Sequence, residues 1–377
     1  MPYGEEAAGG QSLRERFRRT MFFQEADHVR PNFEFGYWAR TLSRWHDEGL
    51  PEDVNDERSA YDYFGIEYCD MVDVPASLVP LYEEEVLEET PTHVTYRDEY
   101  GYTAQINKEG DQSIPHFIDF PVKDRPSWEA NKPALDPHAP ARWTNFDRSL
   151  AEIAAKNGAR PIGVKAGSLM GEGRNLLGFE AYATLPYEDP ELFADITDTF
   201  GNCIIATLER VLPRVQADFA HGWEDICFNL GPIIPPAIVR TQVGPWYRRI
   251  ADLLNAHGIC IYSTDTDGDI NPIVDIFIDN GLNTMFPIEV HAGSDPIALR
   301  QRYGKRVRLW GGVDKMVLAK GRGDIDAMLD ALRPVVAEGG FIPTVDHRVP
   351  ATVPLDNYKY YLDQKRKRLG VGGTPRY

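Results

Sequence analysis

The chain has 377 residues, 42% of them hydrophobic, 11% aromatic and 26% charged, which is enough apolar material for one large barrel or two ordinary domains. Its formal net charge of −18 repels nucleic acids and the anionic faces of membranes, and no apolar run approaches the roughly 20 residues that span a bilayer. The amino terminus carries no signal-peptide core, so a cytoplasmic protein with no nucleic-acid or membrane partner is expected.

In chain order, the first feature is the basic run Arg14-Glu15-Arg16-Phe17-Arg18-Arg19, which with Glu5, Glu6 and Glu25 nearby reads as the solvated face of an amino-terminal helix. Residues 32–38 and 66–72 are apolar enough to supply two barrel strands, with a short amphipathic helix over residues 40–48 between them. Residues 93–98 and 102–106 flank a turn at Tyr100-Gly101 and read as an antiparallel hairpin. It belongs to a β-rich insertion spanning 83–125, and such an insertion is placed to cover a site. Residues 124–143, rich in Pro, Trp and charge, read as a surface connection.

From about residue 160 the pattern alternates between strand and helix. Apolar runs centred near Gly163, Cys227, Cys260, Met285, Leu309 and Ile342 are separated mostly by roughly 25 to 35 residues, the length of a strand-helix-strand unit. Asp189-Pro190 and Ser294-Asp295-Pro296 start two of the helices. Gly258, Gly281, Gly304 and Gly339 fall where helices end and a left-handed cap is needed. Six strands here and two earlier give a single-domain α/β fold, a TIM-type (β/α)8 barrel. Residues 1–60 form a helical arm and the start of the barrel, and residues 61–377 form the remainder. Cys69, Cys203, Cys227 and Cys260 lie far apart with no C-x-x-C pair, Cys227 and Cys260 within apolar runs, and read as buried free thiols.

Polar residues follow the later strands at regular places: Asp265, Asp267 and Gly268 after residues 259–262, Glu289 and His291 after 284–287, Asp314-Lys315 after 308–312, and Asp346-His347 after 341–344. A parallel barrel gathers the carboxyl ends of its strands on one face, so these side chains are expected to converge there as an active site. Each also has an ordinary structural role open to it. Asp267-Gly268-Asp269 suits a turn or a helix cap, and Asp314 suits an N-cap. Glu289, at the end of an apolar strand, must be paired, metal-bound or protonated if buried. His291 is free to bond a loop carbonyl. His347 ranks above it because Asp346 stands beside it and is expected to orient its ring.

Asp265, Asp267, Glu289 and His347 form a ligand set of oxygen and imidazole donors without a thiolate. Such a set is suited to a divalent metal, zinc first, with iron, manganese and magnesium as alternatives; the same groups also serve as metal-free acids and bases. Neither a G-x-S-x-G elbow nor a dinucleotide fingerprint is present.

Residues 160–370 resemble the uroporphyrinogen decarboxylase superfamily, whose barrel also houses corrinoid-dependent methyltransferases. The motifs that carry the resemblance are Trp223-Glu224-Asp225-Ile226, residues 265–269, Pro287-Ile288-Glu289, Tyr303-Gly304-Lys305, Gly311-Gly312-Val313-Asp314-Lys315, residues 339–343, Asp346-His347 with Val349-Pro350, and Asn357-Tyr358. In the decarboxylase branch the last barrel motif is similar to Gly-His-Gly, with His347 on its histidine. The Arg-rich amino-terminal motif of that branch is replaced here by Phe35-Gly36-Tyr37-Trp38-Ala39-Arg40, which together with the negative charge disfavours a polyanionic tetrapyrrole substrate. In the zinc methyltransferases that load a thiol coenzyme, His-x-Cys and a later Cys hold the metal. Asp265, Asp267 and His347 stand in those places here.

The resemblance therefore implies a methyltransferase that takes a methyl group from a small methoxylated compound, aromatic ethers included, or from a methylated one, and delivers it to a corrinoid on a partner protein. Glu289 and His347 are expected to hold a Lewis-acidic metal, with Asp267 positioning substrate or ligand. Tyr37, Trp38, Asn229, His291, Asp314 and Asp346 are expected substrate or cofactor contacts, and a homodimer is one arrangement open to the chain. Two alternatives are a cofactor-free decarboxylase working through His347 and a carboxylate, and a non-catalytic barrel that binds a tetrapyrrole or corrinoid.

Overall fold

A computed structural model describes residues 10–24, 29–108, 115–156 and 158–377; Glu5, Glu6 and Glu25 fall outside them. The strands are β1 (Asp70–Val72), β2 (Glu85–Glu89), β3 (His93–Arg97), β4 (Thr103–Asn107), β5 (His116–Asp119), β6 (Ile162–Lys165), β7 (Phe219–Trp223), β8 (Cys227–Phe228), β9 (Gly231–Pro232), β10 (Tyr262–Asp265), β11 (Thr284–Phe286), β12 (Arg308–Val313) and β13 (Phe341–Val345). Seven of them form one parallel sheet in the order β1-β6-β7-β10-β11-β12-β13. Helices such as Pro190–Val211, Gly244–Ala256, Arg322–Ala337 and Leu355–Leu369 lie between and after them. The alternation expected from residue 160 onward is present. The strand placed near Cys227 is in fact Phe219–Trp223, and Cys227–Phe228 pairs instead with Gly231–Pro232 in a small hairpin. Cys260 precedes its strand and is exposed.

Local signals account for the helices. Asp189 accepts a hydrogen bond from the Leu192 N–H at the start of Pro190–Val211, and Asp295 from the Ile297 N–H at the start of Pro296–Tyr303. No described helix is long and apolar enough to cross a membrane.

The sheet curls as in a TIM-like fold but does not close, which corrects the expectation of an eight-stranded barrel. Residues 32–38, the expected first strand, lie between β1 and β13 without forming a ladder. On one side the Glu67 N–H reaches the Asn32 carbonyl at 2.9 Å. On the other, Tyr37 makes a single parallel bridge with Val349. Two features stop a strand from forming. Gly36 at φ +107° breaks the extended path, and the Glu34 carboxylate, in place of a main-chain carbonyl, takes the Val345 N–H at 2.8 Å.

The basic amino-terminal run is a stopper, which corrects its reading as a solvated face. On the helix Leu13–Met21, Phe17 packs against Phe33, Phe219 and Trp310 at the amino-terminal end of the sheet. Arg14 pairs with Asp218 at 2.9 Å, and buried Arg16 pairs with Glu67. The expected hairpin is the centre of a four-stranded antiparallel sheet, β2-β3-β4-β5.

Among the described residues, Glu34 also carries the one ion pair with no exposure on either side chain. Lys365 Nζ lies 2.7 Å from Glu34 Oε1, the Tyr361 hydroxyl donates to the same oxygen at 2.8 Å, and Lys365 donates to the Phe33 carbonyl at 2.9 Å. Burial pulls the Lys365 ammonium below its ordinary value, and Glu34 opposes that pull. Removing one partner strands a charge in the interior, so Lys365→Met is expected to cost about 3–5 kcal/mol. Adding Glu34→Gln to it should recover part of the loss, read as denaturant unfolding midpoints. Equal additive losses in the double variant would mean that the pair is not coupled.

Candidate active site

The carboxyl-terminal mouth of the sheet holds two groups of polar side chains, and the first contains the expected residues after β10, β11 and β13. His347 Nε2 lies 3.3 Å from Asp267 Oδ2. The ring sits between Phe35, edge-on at 5.4 Å, and Trp38, stacked at 5.6 Å. Asp265 is close enough to Asp267 and Asp225 to be repelled by both. Burial first, and then those neighbours, hold its carboxyl well above the usual range, while Arg348 acts the other way.

Glu289 is committed elsewhere. Its Oε1 is 2.5 Å from Lys315 Nζ, and its Oε2 accepts the Gly268 N–H at 3.0 Å. Asp346 does not orient His347. Its Oδ2 takes the Val290 N–H and its Oδ1 the Lys315 N–H, tying the ends of β11, β12 and β13 together. Asp314 is an N-cap on the Met316 N–H. His291 and Asn229 are exposed. Tyr37 is a core residue bonded to Tyr358 at 2.9 Å.

These positions depend on close backbone approach. A Cβ at Gly311, where φ is +126°, would lie 1.6 Å from the Pro287 carbonyl oxygen, and that oxygen accepts the Gly312 N–H at 2.9 Å. The strand therefore passes directly beneath the turn that carries Glu289.

The donor set does not fit a divalent metal. Both Glu289 oxygens are engaged, one by a cation, and among the described residues no three His, Cys, Asp or Glu side chains lie close enough together to hold an ion. What the structure brings together is the pair Asp267–His347.

The second group lines a cavity of about 650 Å³ that runs from the mouth into the barrel on the side of β1, β6 and β7. Phe33, Phe219, Phe286 and Trp310 form its inner wall. Phe286 also touches Phe35 at 4.8 Å and His221 at 5.3 Å, so it stands between the cavity and the His347 pair. Tyr100, in the β3–β4 turn, lines the cavity, so the antiparallel sheet reaches over the site.

Sequence reasoning missed the cavity's own polar groups. His221 Nδ1 is 2.8 Å from Ser263 Oγ, and that hydroxyl donates to the Ala220 carbonyl at 3.1 Å. The hydroxyl proton is thereby used, so Nδ1 carries the ring proton and Nε2 is bare. Burial, helped by Lys165, pulls the imidazole down to about 4, which keeps it neutral. Glu172 is 7% exposed and its Oε2 has no hydrogen-bond partner. Burial first, then Glu224 and Glu99, push its carboxyl up to about 7.

Supporting residues hold this wall in place. Glu224 accepts the N–H groups of Leu169, Met170 and Gly171 and the hydroxyls of Ser168 and Tyr247. Arg142, from the stretch read as a surface connection, is buried and donates to the Pro75 and Ser77 carbonyls. The available sequence signal was Gly171-Glu172-Gly173, a carboxylate between glycines just past an apolar strand.

Glu172 links stability to pH. Its folded value lies above the ordinary 4.5 of a glutamate carboxyl, so between the two values the folded chain holds a proton that the unfolded chain has released. Its contribution is full at low pH and is lost as pH rises through about 7. Wild type should therefore lose on the order of 2 kcal/mol relative to Glu172→Gln between pH 5 and 7.5, measured by urea unfolding of both. Parallel pH profiles would place Glu172 in an ordinary solvated environment.

No family model and no curated protein matches the sequence. Among solved structures, the chain is similar to a methyltransferase from Methanosarcina mazei, with a TM-score of 0.61 over 95% of this chain and 99% of that one, at 15% sequence identity. At that identity the likeness is one of fold.

Proposed function

We propose that this chain is a methyltransferase that moves a methyl group from a small methoxylated or methylated compound to a cobalt(I) corrinoid carried by a partner protein. The observation that carries the reading is the cavity at the carboxyl-terminal mouth: about 650 Å³, with Phe33, Tyr100, Phe219, Trp223, Phe286 and Trp310 in its lining. A space of that size and lining suits a small aromatic molecule. The fold shared with a solved methyltransferase supports the same reading, as do the superfamily motifs at residues 265–269 and 311–315.

Methyl ethers are poor donors because the leaving oxygen departs with charge that something must neutralise. Since the Asp265, Asp267, Glu289 and His347 set does not fit a metal, the chain's own acids take that task in this proposal. His347, gripped by Phe35 and Trp38 and paired with Asp267, relays protons between solvent and the site at the rim, and the cavity wall orients the substrate ring. The corrinoid, as co-substrate, approaches over the mouth.

The assay follows conversion of cobalt(I) to methylcobalt(III) in the visible spectrum, with methoxylated aromatics, methylamines and methanol as donors. His347→Ala should lower transfer by about a hundredfold or more with an unchanged unfolding midpoint, because the residue is at the rim. Unchanged transfer would remove His347 from the machinery. Carbon dioxide release from a porphyrinogen with no cobalt methylation would overturn the whole reading.

A further inference from the structure

The ionised groups around the cavity are matched: Glu34 with Lys365 at 2.7 Å, Asp73 with Lys165 at 2.7 Å, and Glu67 with Arg16. Two of the polar groups lining it, a carboxyl and an imidazole, have no charged partner. One is Glu172, with an oxygen that bonds to nothing, and the other is His221, with a bare Nε2 fixed by Ser263. One is a donor when protonated and the other is an acceptor, and both share the lining with the aromatic rings.

We propose that Glu172 and His221 are the two hydrogen-bonding ends of a binding site for an uncharged aromatic ligand bearing both a hydroxyl and an ether oxygen. The hydroxyl donates to His221 Nε2, and the Glu172 carboxyl donates to the ether oxygen. An ionised ligand is disfavoured because the cavity has no unmatched charge to meet it.

Assigning the ether as the methyl-bearing oxygen rests on the methyl-transfer reading. On that reading the C–O electron pair stays on oxygen, the Glu172 proton joins it, the carboxylate is left to be reprotonated by solvent, and the methyl carbon is bonded by the electron pair of the partner's cobalt(I). The groups facing Glu172 are Glu224 after β7, Glu99 and Tyr100 in the β3–β4 turn, Ser77 after β1 and Cys203 of the helix Pro190–Val211. Burial and the carboxylates among them oppose its ionisation, and the Ser77 hydroxyl, by hydrogen bonding, acts the other way without cancelling them.

The test is calorimetric binding of 2-methoxyphenol, anisole and 2-methoxybenzoate to the full chain, with no corrinoid present. Wild type should bind 2-methoxyphenol about tenfold more tightly than either of the others. The affinity should fall about tenfold from pH 6 to pH 8 as Glu172 loses its proton. Glu172→Gln, which keeps a donor, should bind without that pH dependence. His221→Phe should bind 2-methoxyphenol and anisole alike. Equal wild-type affinities, or a pH dependence that persists in Glu172→Gln, overturn the proposal. Unfolding curves confirm that each variant is folded, and the wild-type comparison across ligands and pH stands without either variant. Binding as expected with no cobalt methylation leaves this site in place and removes only the methyl-transfer reading.

Discussion

The buried Glu34–Lys365 pair is the constraint on which the open sheet depends. Seven parallel strands that curl without closing leave two edges, and an edge strand with unpaired N–H groups in an interior is costly. Here an irregular stretch lies between those edges, and one carboxylate anchors it. Glu34 takes the β13 main-chain N–H with one oxygen and Lys365 with the other, so a side chain substitutes for part of a missing ladder. The same stretch carries Phe33 into the cavity wall and Phe35 and Trp38 against His347. One ion pair therefore anchors both the stretch between the sheet's edges and the aromatic frame of the mouth.

The mouth is divided, and the division has chemical meaning. On one side Asp267, His347, Glu289 and Lys315 form a charged rim tied down by Asp346. On the other a deeper aromatic hollow holds a neutral imidazole and a carboxyl pushed up to about 7. Phe286 separates them. A low-dielectric hollow next to a charged rim lets two titratable environments sit side by side on one set of strand ends.

Much of the architecture could be read from the chain. Helix caps at Asp189 and Asp295 and the glycines before each later strand mark local rules, and local rules are visible in sequence. The stretch after residue 160 followed them closely. The failures were at places governed by tertiary contact. Residues 32–38 are extended and apolar, but a side-chain bond replaces the ladder; the arginines at 14 and 16 look solvated until Asp218 and Glu67, far along the chain, bury them. At the site, the expected carboxylates were placed correctly at strand ends. Their partners were not readable, because Lys315 and the Gly268 N–H reach Glu289 only in the fold. Glu172 and His221 went unread for the same reason: what distinguishes them is missing partners and burial, neither of which has a local signature.

The stopper helix imposes an order on traffic. With Phe17 packed into the amino-terminal end of the curled sheet, a small molecule would exchange at the opposite end, the same opening over which a methyl-accepting partner would sit. On the proposed reading ligand and partner would share one doorway, so the small molecule would enter before the partner docks and its product would wait for the partner to leave. A chain built this way would turn over by a compulsory sequence of arrivals and departures, with the slow step set by how long the larger visitor stays.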